Sequence, residues 1–133
     1  MLGSGHQHWA TVHVADLADL FRRVVENDRA RGRYVAADGQ NPTVAALTEA
    51  TAVAVQAPGA VAGSDDEARA RLGEYLAEVL LLDQATTATR ARSEIDWSPS
   101  RQGLVEEFRS GSYRARETNV HDDPPRVQNG RSE

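Results

Sequence analysis

Residues 9–18 have the sequence Trp9-Ala10-Thr11-Val12-His13-Val14-Ala15-Asp16-Leu17-Ala18, and they decide the predicted fold. The β-branched residues within 11–14 favour a short strand. The apolar residues after it recur at spacings of three and four, which predicts an amphipathic helix. We expect Asp16 to cap that helix, because an aspartate side chain can accept a hydrogen bond from a free N–H of the first turn. The expected inward stripe is Leu17, Leu20, Phe21, Val24 and Val25.

The sequence pattern beyond this helix predicts a second short strand and further helices. Residues 33–36 favour the strand. Asn41-Pro42 favours a helix start, because asparagine is a common cap and proline fits the first helical position. A short helix is expected to end near Ile95, and one or two last helical turns use Leu104, Val105 and Phe108. The helix after Pro42 is expected to bury Val44, Leu47, Ala50 and either Val53 or Ala54.

The strongest helix start is Ser64-Asp65-Asp66-Glu67, where serine and glutamate have the spacing of a capping box. We predict one continuous helix from this point to about Leu82. The fold class is therefore α+β and helix-rich, with about five helices and two short strands that look like edge pieces of a larger sheet. The inward stripe expected for the long helix is Leu72, Tyr75, Leu76, Val79 and Leu80.

Composition divides the chain into three parts. Residues 1–8 are predicted to be a flexible start, residues 9–114 a single folded domain, and residues 115–133 a disordered tail. From Glu117 onward two valines are the only hydrophobic residues. Such a segment cannot bury enough apolar surface to offset the entropy of ordering it.

Charge and missing residue types exclude several functions. The net charge of −5 argues against binding to nucleic acids or to anionic membranes. The chain has no cysteine and no lysine, which excludes disulfides, Schiff-base catalysis and the phosphate-binding lysine of a P-loop. No segment has the roughly 18–20 apolar residues that cross a bilayer. The N-terminus also lacks the features of a secretory signal, so we expect a cytoplasmic protein.

Two N-terminal motifs are too incomplete to predict a metal or cofactor site. His6 and His8 could share one face of a strand, but no further ligand follows at a useful spacing. Gly3-Ser4-Gly5 lacks the third glycine of the dinucleotide fingerprint, whose place is taken by His8, and it lacks the flanking strand and helix. His121-Asp122-Asp123 falls in the predicted tail, which cannot hold a preorganised site.

Four short motifs occur in a recognisable order. They are V-H-V-x-D-L-A within residues 9–18, GRYVAA at 32–37, SEIDWSP at 93–99 and GSYR at 111–114. Together, over about residues 7–114, they resemble the C-terminal, substrate-side lobe of the NAD-dependent epimerase/dehydratase family, the extended short-chain dehydrogenases/reductases. The resemblance implies the C-terminal lobe of a Rossmann-type epimerase or reductase without its nucleotide-binding lobe.

In that family, a separate Rossmann lobe binds NAD(P) through a glycine-rich turn and supplies a catalytic Tyr-x-x-x-Lys pair. This chain has neither feature, because no lysine follows Tyr34, Tyr75 or Tyr113. The resemblance therefore implies a truncated or split oxidoreductase that is not catalytic alone. It implies no catalytic, cofactor or metal residues here, and NAD(P) would bind only to a full-length relative.

The resemblance also implies residues that line the substrate: Trp9, His13 and Arg90. Three positions depart from the family pattern. Ile95-Asp96 replaces Leu-Gly, and Ala15 stands where relatives often have aspartate. Trp9 stands where sugar-nucleotide branches place an arginine for the diphosphate. A smaller, less charged substrate, such as a carbonyl compound, is then as well favoured as a sugar nucleotide.

Two alternatives remain from the sequence. The chain could be a stand-alone binding or dimerisation module that has kept the fold of the lobe. It would then form a homodimer or pair with a separate Rossmann-lobe chain through apolar side chains of the first strand and helix, which the missing lobe would leave exposed. It could also be an unrelated small helical protein with a chance similarity.

Overall fold

The computed structural model describes residues 1–113, and six helices form the framework of this part. The helix-rich prediction is therefore confirmed. No helix in this region is long and apolar enough to cross a bilayer. The predicted tail and the final arginine of the GSYR motif lie outside the described residues. The helices are α1 (Val14–Glu26), α2 (Val44–Ala54), α3 (Asp65–Leu72), α4 (Glu74–Leu81), α5 (Thr89–Ile95) and α6 (Leu104–Ser110).

Neither of the two predicted strands forms. Residues 11–13 and 33–36 lie outside any helix or strand. The strand-like pairing within residues 1–113 is one isolated antiparallel bridge between His8 and Thr43. A segment with a strand-like sequence becomes a strand only where a neighbour completes its hydrogen-bond ladder, and the described residues supply no such neighbour. The strand part of the α+β prediction is therefore wrong for this region.

A buried cluster around Trp97 joins α1 to α5. Trp97 is completely buried, and its indole N–H donates to the backbone carbonyl of Asp16 at 2.9 Å. Burial of a tryptophan with its polar N–H satisfied stabilises a core made mainly of small side chains. The cluster consists of Leu20, Ala37, Ala88, Ala91, Ile95 and Trp97. Of the inward stripe predicted for α1, Leu20 is buried and Leu17 and Val24 are half-buried, but the prediction is wrong for Phe21 and Val25, which are exposed.

Asp16 does not cap α1, contrary to the prediction. The cap is His13, whose Nδ1 accepts from the backbone N–H of Ala15 at 3.1 Å. Asp16 lies inside the first turn and is 5% exposed. Its carboxylate accepts from the backbone N–H groups of Ser100 (3.1 Å) and Arg101 (3.0 Å) and from the Ser100 hydroxyl (3.3 Å). The prediction was wrong because α1 starts earlier than expected, which places Asp16 in the helix and turns its carboxylate toward a distant loop.

The capping box of Ser64 and Glu67 forms as predicted, but the helix after it is broken. Gly73 has φ +81° and ψ 157°, a conformation that is essentially restricted to glycine, and it separates α3 from α4. Arg69 on α3 bonds Glu78 on α4 at 2.6 Å and holds the two helices together. The predicted inward stripe is wrong in four of its five positions: Leu72, Tyr75, Leu76 and Val79 are exposed, while Leu80 is half-buried. The buried residues of the two helices are Ala68 and Ala77.

Helix α2 buries the face that was predicted, although it begins later. Its cap is Thr43 and not Asn41, because the Thr43 hydroxyl accepts from the backbone N–H of Ala46 at 3.1 Å. Of the two alternatives for the last inward position, Ala54 is buried and Val53 is 56% exposed. The other predicted inward residues, Val44, Leu47 and Ala50, are all buried.

The first eight residues, predicted to be a flexible start, make specific contacts in the structure. Gln7 is buried, its carbonyl accepts from Val44 N–H (2.9 Å), and its side-chain amide donates to the carbonyl of Leu2 (3.1 Å). The backbone N–H of His8 donates to Asp83 Oδ1 at 2.7 Å, and His8 Nδ1 lies 2.8 Å from the same oxygen. These bonds hold the pKa of Asp83 below its ordinary value. The flexibility of this segment stays a prediction.

Removal of the Asp16 carboxylate should destabilise the fold strongly. We expect Asp16→Ala to lower the free energy of unfolding by about 2–4 kcal/mol, because it leaves the N–H groups of Ser100 and Arg101 without their charged acceptor. Asp19→Ala is the matched control, since Asp19 makes only surface ion pairs with arginines, and it should cost at most about 1 kcal/mol. Urea unfolding followed by tryptophan fluorescence measures both. Equal costs for the two variants would contradict the anchoring role of Asp16.

Candidate functional site

The main candidate site is an open cavity of about 560 Å³. Helices α2, α3 and α6 form its walls, together with the N-terminal segment and the loop before α3. Helix α2 packs against α6, which fixes two of these walls relative to each other. This volume lies within the range of small-molecule sites, about 300–1,000 Å³. The lining includes Trp9, Thr48, Thr51, Arg71, Leu104 and Phe108.

The α2 wall is apolar at its base and carries two hydroxyl groups. Val44 and Leu47 are buried and close the cavity toward the interior. The hydroxyl of Thr48 donates to the Val44 carbonyl at 2.7 Å, and that of Thr51 donates to the Leu47 carbonyl at 2.8 Å. Each hydroxyl has used its proton within the helix, so toward a ligand it can only accept a hydrogen bond.

The α3 wall brings one carboxylate and one guanidinium to the cavity. The Glu67 carboxylate accepts from the backbone N–H of Ser64 at 2.9 Å, so the capping box fixes its position. Arg71 follows one turn later, and its side chain makes no hydrogen bond or ion pair with any residue of 1–113. The Arg71 guanidinium is therefore the charged donor that the cavity offers to a ligand, while the rest of the lining is mostly apolar.

Trp9, predicted to line a substrate site, does line this cavity. Its backbone N–H donates to the Pro42 carbonyl at 3.0 Å, and its indole N–H donates to the Leu80 carbonyl at 3.0 Å. Both donors are satisfied by backbone, which fixes the orientation of the ring. The ring can therefore contribute an apolar surface but no free hydrogen-bond donor to a ligand.

His13 lies at a second, smaller cavity of about 180 Å³. Leu104 borders both cavities, so the two are neighbours. Glu107, which also lines the smaller cavity, accepts from the Ser112 backbone N–H (3.1 Å) and the Gln102 amide (3.0 Å). The bond from Ser112 is the main cause that lowers the pKa of Glu107, and the Gln102 amide and the nearby His13 add to it. Glu107 is therefore held in its ionised form.

Arg90 lines neither cavity. Its guanidinium lies 4.7 Å above the ring of Tyr34 and bonds Glu94 at 2.8 Å. It also donates to the backbone carbonyls of Arg31 (2.7 Å) and Arg33 (2.9 Å). These contacts join α5 to the segment that was predicted to be the second strand. The structure thus brings Trp9 and His13 to adjacent cavities and places Arg90 in a structural contact elsewhere.

The segment Gly3-Ser4-Gly5 does not have the geometry of a dinucleotide-binding turn. Gly3 would be the start of a phosphate-binding turn, but an added Cβ there would meet Asp65 and Leu81 at 2.7 Å, so this backbone is packed against protein. No strand precedes this turn and no helix starts from it. In residues 1–113 no three His, Asp or Glu side chains come together in a way that could hold a metal ion.

Sequence reasoning missed the hydroxyl and guanidinium groups of the cavity. Thr48 and Thr51 share a face of α2 with Val44, at spacings of four and seven, and this periodicity could have indicated their position. Arg71 had no such signal, because its place depends on the end of α3 at Gly73. Leu104 and Phe108 were predicted only as apolar residues of a last helical turn.

The chain is similar to proteins whose own functions are not described. No protein-family model and no solved structure matches it. It is 24% identical over 112 residues to an uncharacterized protein of Schizosaccharomyces pombe, a match that covers 84% of this chain and 37% of that protein. It is 28% identical over 109 residues to an uncharacterized protein of Saccharomyces cerevisiae, covering 82% of this chain and 36% of that protein. The chain thus spans about a third of the length of the curated relatives it matches.

The capping role of His13 can be tested by two substitutions. We expect His13→Ala to lower the free energy of unfolding by about 0.5–2 kcal/mol, because the first turn of α1 loses the acceptor for the N–H of Ala15. His13→Asn should restore most of this stability, since asparagine is a good cap. Urea unfolding of both variants is the measurement. If asparagine were as destabilising as alanine, the imidazole would have a structural role other than capping.

Proposed function

We propose that the chain is the substrate-side lobe of a truncated or split NAD(P)-dependent epimerase/dehydratase/reductase-type oxidoreductase. It is not catalytic alone, and it acts in the cytoplasm. The observation that carries the proposal is the apolar cavity that contains Trp9. It has the volume and the lining of a small-molecule site, and Trp9 is one of the residues that the family resemblance implies as substrate lining.

The relatives support the idea of a lobe that belongs to something larger. About two thirds of each relative lies outside the match, so the relatives have room for a further domain of greater size than this one. The family resemblance assigns nucleotide binding and the catalytic pair to such a domain. For the present protein, a separate Rossmann-lobe chain would supply nucleotide binding and the catalytic pair.

The lining of the cavity favours a small and mainly apolar substrate. Among the side chains of the lining, the charged ones are that of Glu67, whose carboxylate is engaged in the capping box, and that of Arg71. A carbonyl oxygen is an acceptor that the guanidinium can bind, and an apolar body can pack against Trp9 and Phe108. A carbonyl compound therefore fits this lining better than a sugar nucleotide, whose diphosphate would require more than one positive charge.

The second candidate function is a stand-alone binding or dimerisation module that has kept the fold of the lobe. Its support is the outer face of α1, where Val14, Phe21 and Val25 are 74%, 65% and 82% exposed. Large apolar side chains that are exposed together on one helix face often mark an interaction surface. A dimer of this kind does not exclude ligand binding in the cavity.

Blocking the cavity should weaken the binding of small carbonyl compounds. We expect benzaldehyde and cyclohexanone to bind the purified chain with dissociation constants of about 1 mM, as suits ligands of this size. Thr51→Trp should weaken binding at least about tenfold by filling the cavity. Thr89→Trp, the same substitution on exposed Thr89 of α5, is the matched control and should change nothing. Protein-observed NMR titration measures the dissociation constants for the unaltered chain and for both variants. Equal dissociation constants for the two variants would refute the cavity as the substrate site.

A further inference from the structure

The exposed apolar residues of α1 form a single stripe. Val14, Ala18, Phe21 and Val25 follow one another at spacings of four, three and four, and all four are exposed. At about 100° per residue they lie on one face of the helix, away from the face that buries Asp16 and Leu20. We call these four residues the α1 stripe. The same spacing is the a/d pattern by which helices pack side by side.

The α1 stripe is complementary to itself in the antiparallel direction. Val14 and Val25 are equally distant from the midpoint between Asp19 and Leu20, and so are Ala18 and Phe21. A two-fold axis through this midpoint would place Phe21 of one copy opposite Ala18 of the other, a large side chain against a small one. Val14 of one copy would meet Val25 of the other. A symmetric dimer requires such a self-complementary patch.

The charges beside the stripe permit this pairing. Arg22 bonds Asp19 at 2.7 Å and also pairs with Glu26, while Arg23 bonds Asp19 at 2.6 Å. The rim is therefore neutral, and the antiparallel arrangement sets Arg22 of one copy at the level of Leu17 of the other, between Ala15 and Asp19. Like charges do not meet, and the dipole at each helix end lies beside the opposite end of the other helix.

We infer that the α1 stripe is the contact surface of an antiparallel homodimer of this chain. The stripe exposes on the order of 400 Å² per copy, which is the size of the largest apolar patch on a typical monomer. That area is about half of the roughly 800 Å² per partner of a standard interface, so the dimer is weak and depends on concentration. The inference deepens the second candidate function and rests on it, but it does not depend on the cavity.

Sedimentation equilibrium over protein concentrations of about 10–500 μM tests the surface. We expect dimerisation of the unaltered chain and a loss of at least about tenfold in dimer affinity for Phe21→Glu. Val55→Glu is the matched control, because Val55 is 59% exposed at the end of α2, and it should leave the dimer unchanged. Ala18→Phe should also weaken the dimer, because the new side chain would clash with Phe21 of the other copy. If the association were non-specific and apolar, the added phenylalanine would strengthen it.

Cross-linking tests the register, since the chain has no cysteine of its own. An oxidised mixture of the Val14→Cys and Val25→Cys variants should form a disulfide-linked dimer. Val25→Cys alone should not, because its two copies would lie about 16 Å apart along the helices. A chain that is monomeric at every concentration would overturn this inference together with the dimerisation function. If Phe21→Glu left the dimer affinity unchanged, the α1 stripe would be the wrong surface, although the chain would still dimerise. Neither result affects the ligand-binding test with Thr51→Trp.

Discussion

The contact between the start of α1 and the loop that follows Trp97 fixes the framework on which the other features depend. Asp16 contributes both its backbone carbonyl, which accepts from the Trp97 indole, and its carboxylate, which accepts from three donors of Ser100 and Arg101. The residues joined are more than 80 positions apart in the sequence. Because a buried carboxylate is costly without partners, this set of bonds specifies one arrangement of the two segments. Helix α6 follows directly after the loop and carries Leu104 and Phe108 to the cavity.

The candidate site combines a fixed wall with few polar groups. The indole N–H of Trp9 and the hydroxyl groups of Thr48 and Thr51 each donate to a backbone carbonyl. The Arg71 guanidinium is left to contact a ligand. This arrangement can bind and orient a small molecule. It supports the proposal of a substrate-side lobe, and the length of the relatives adds to that support.

Local signals predicted part of the local structure and little of the long-range structure. The capping box at Ser64 and the buried face of α2 were predicted, because both depend on residues within one or two turns. The strands failed because a strand needs a neighbour that periodicity cannot supply. Asp16 was predicted to cap its own helix, because nothing in the local sequence indicates that its partners are Trp97, Ser100 and Arg101. The stripe of α4 was placed inward although Gly73 breaks the helix and leaves Tyr75 exposed. Of the site residues, Trp9 and His13 came from the family resemblance and not from any pattern in composition.

The central proposal is that residues 1–113 provide a cavity for a substrate and that the nucleotide binds to a separate lobe. Titration of the purified chain with NADPH and NADH, followed by the fluorescence of the nucleotide, tests this claim most directly. The account predicts no saturable binding below about 1 mM, because residues 1–113 offer no strand-turn-helix cradle for a pyrophosphate. Binding of either nucleotide at micromolar concentration would contradict it, since the chain would then contain the site that the proposal assigns to a separate lobe.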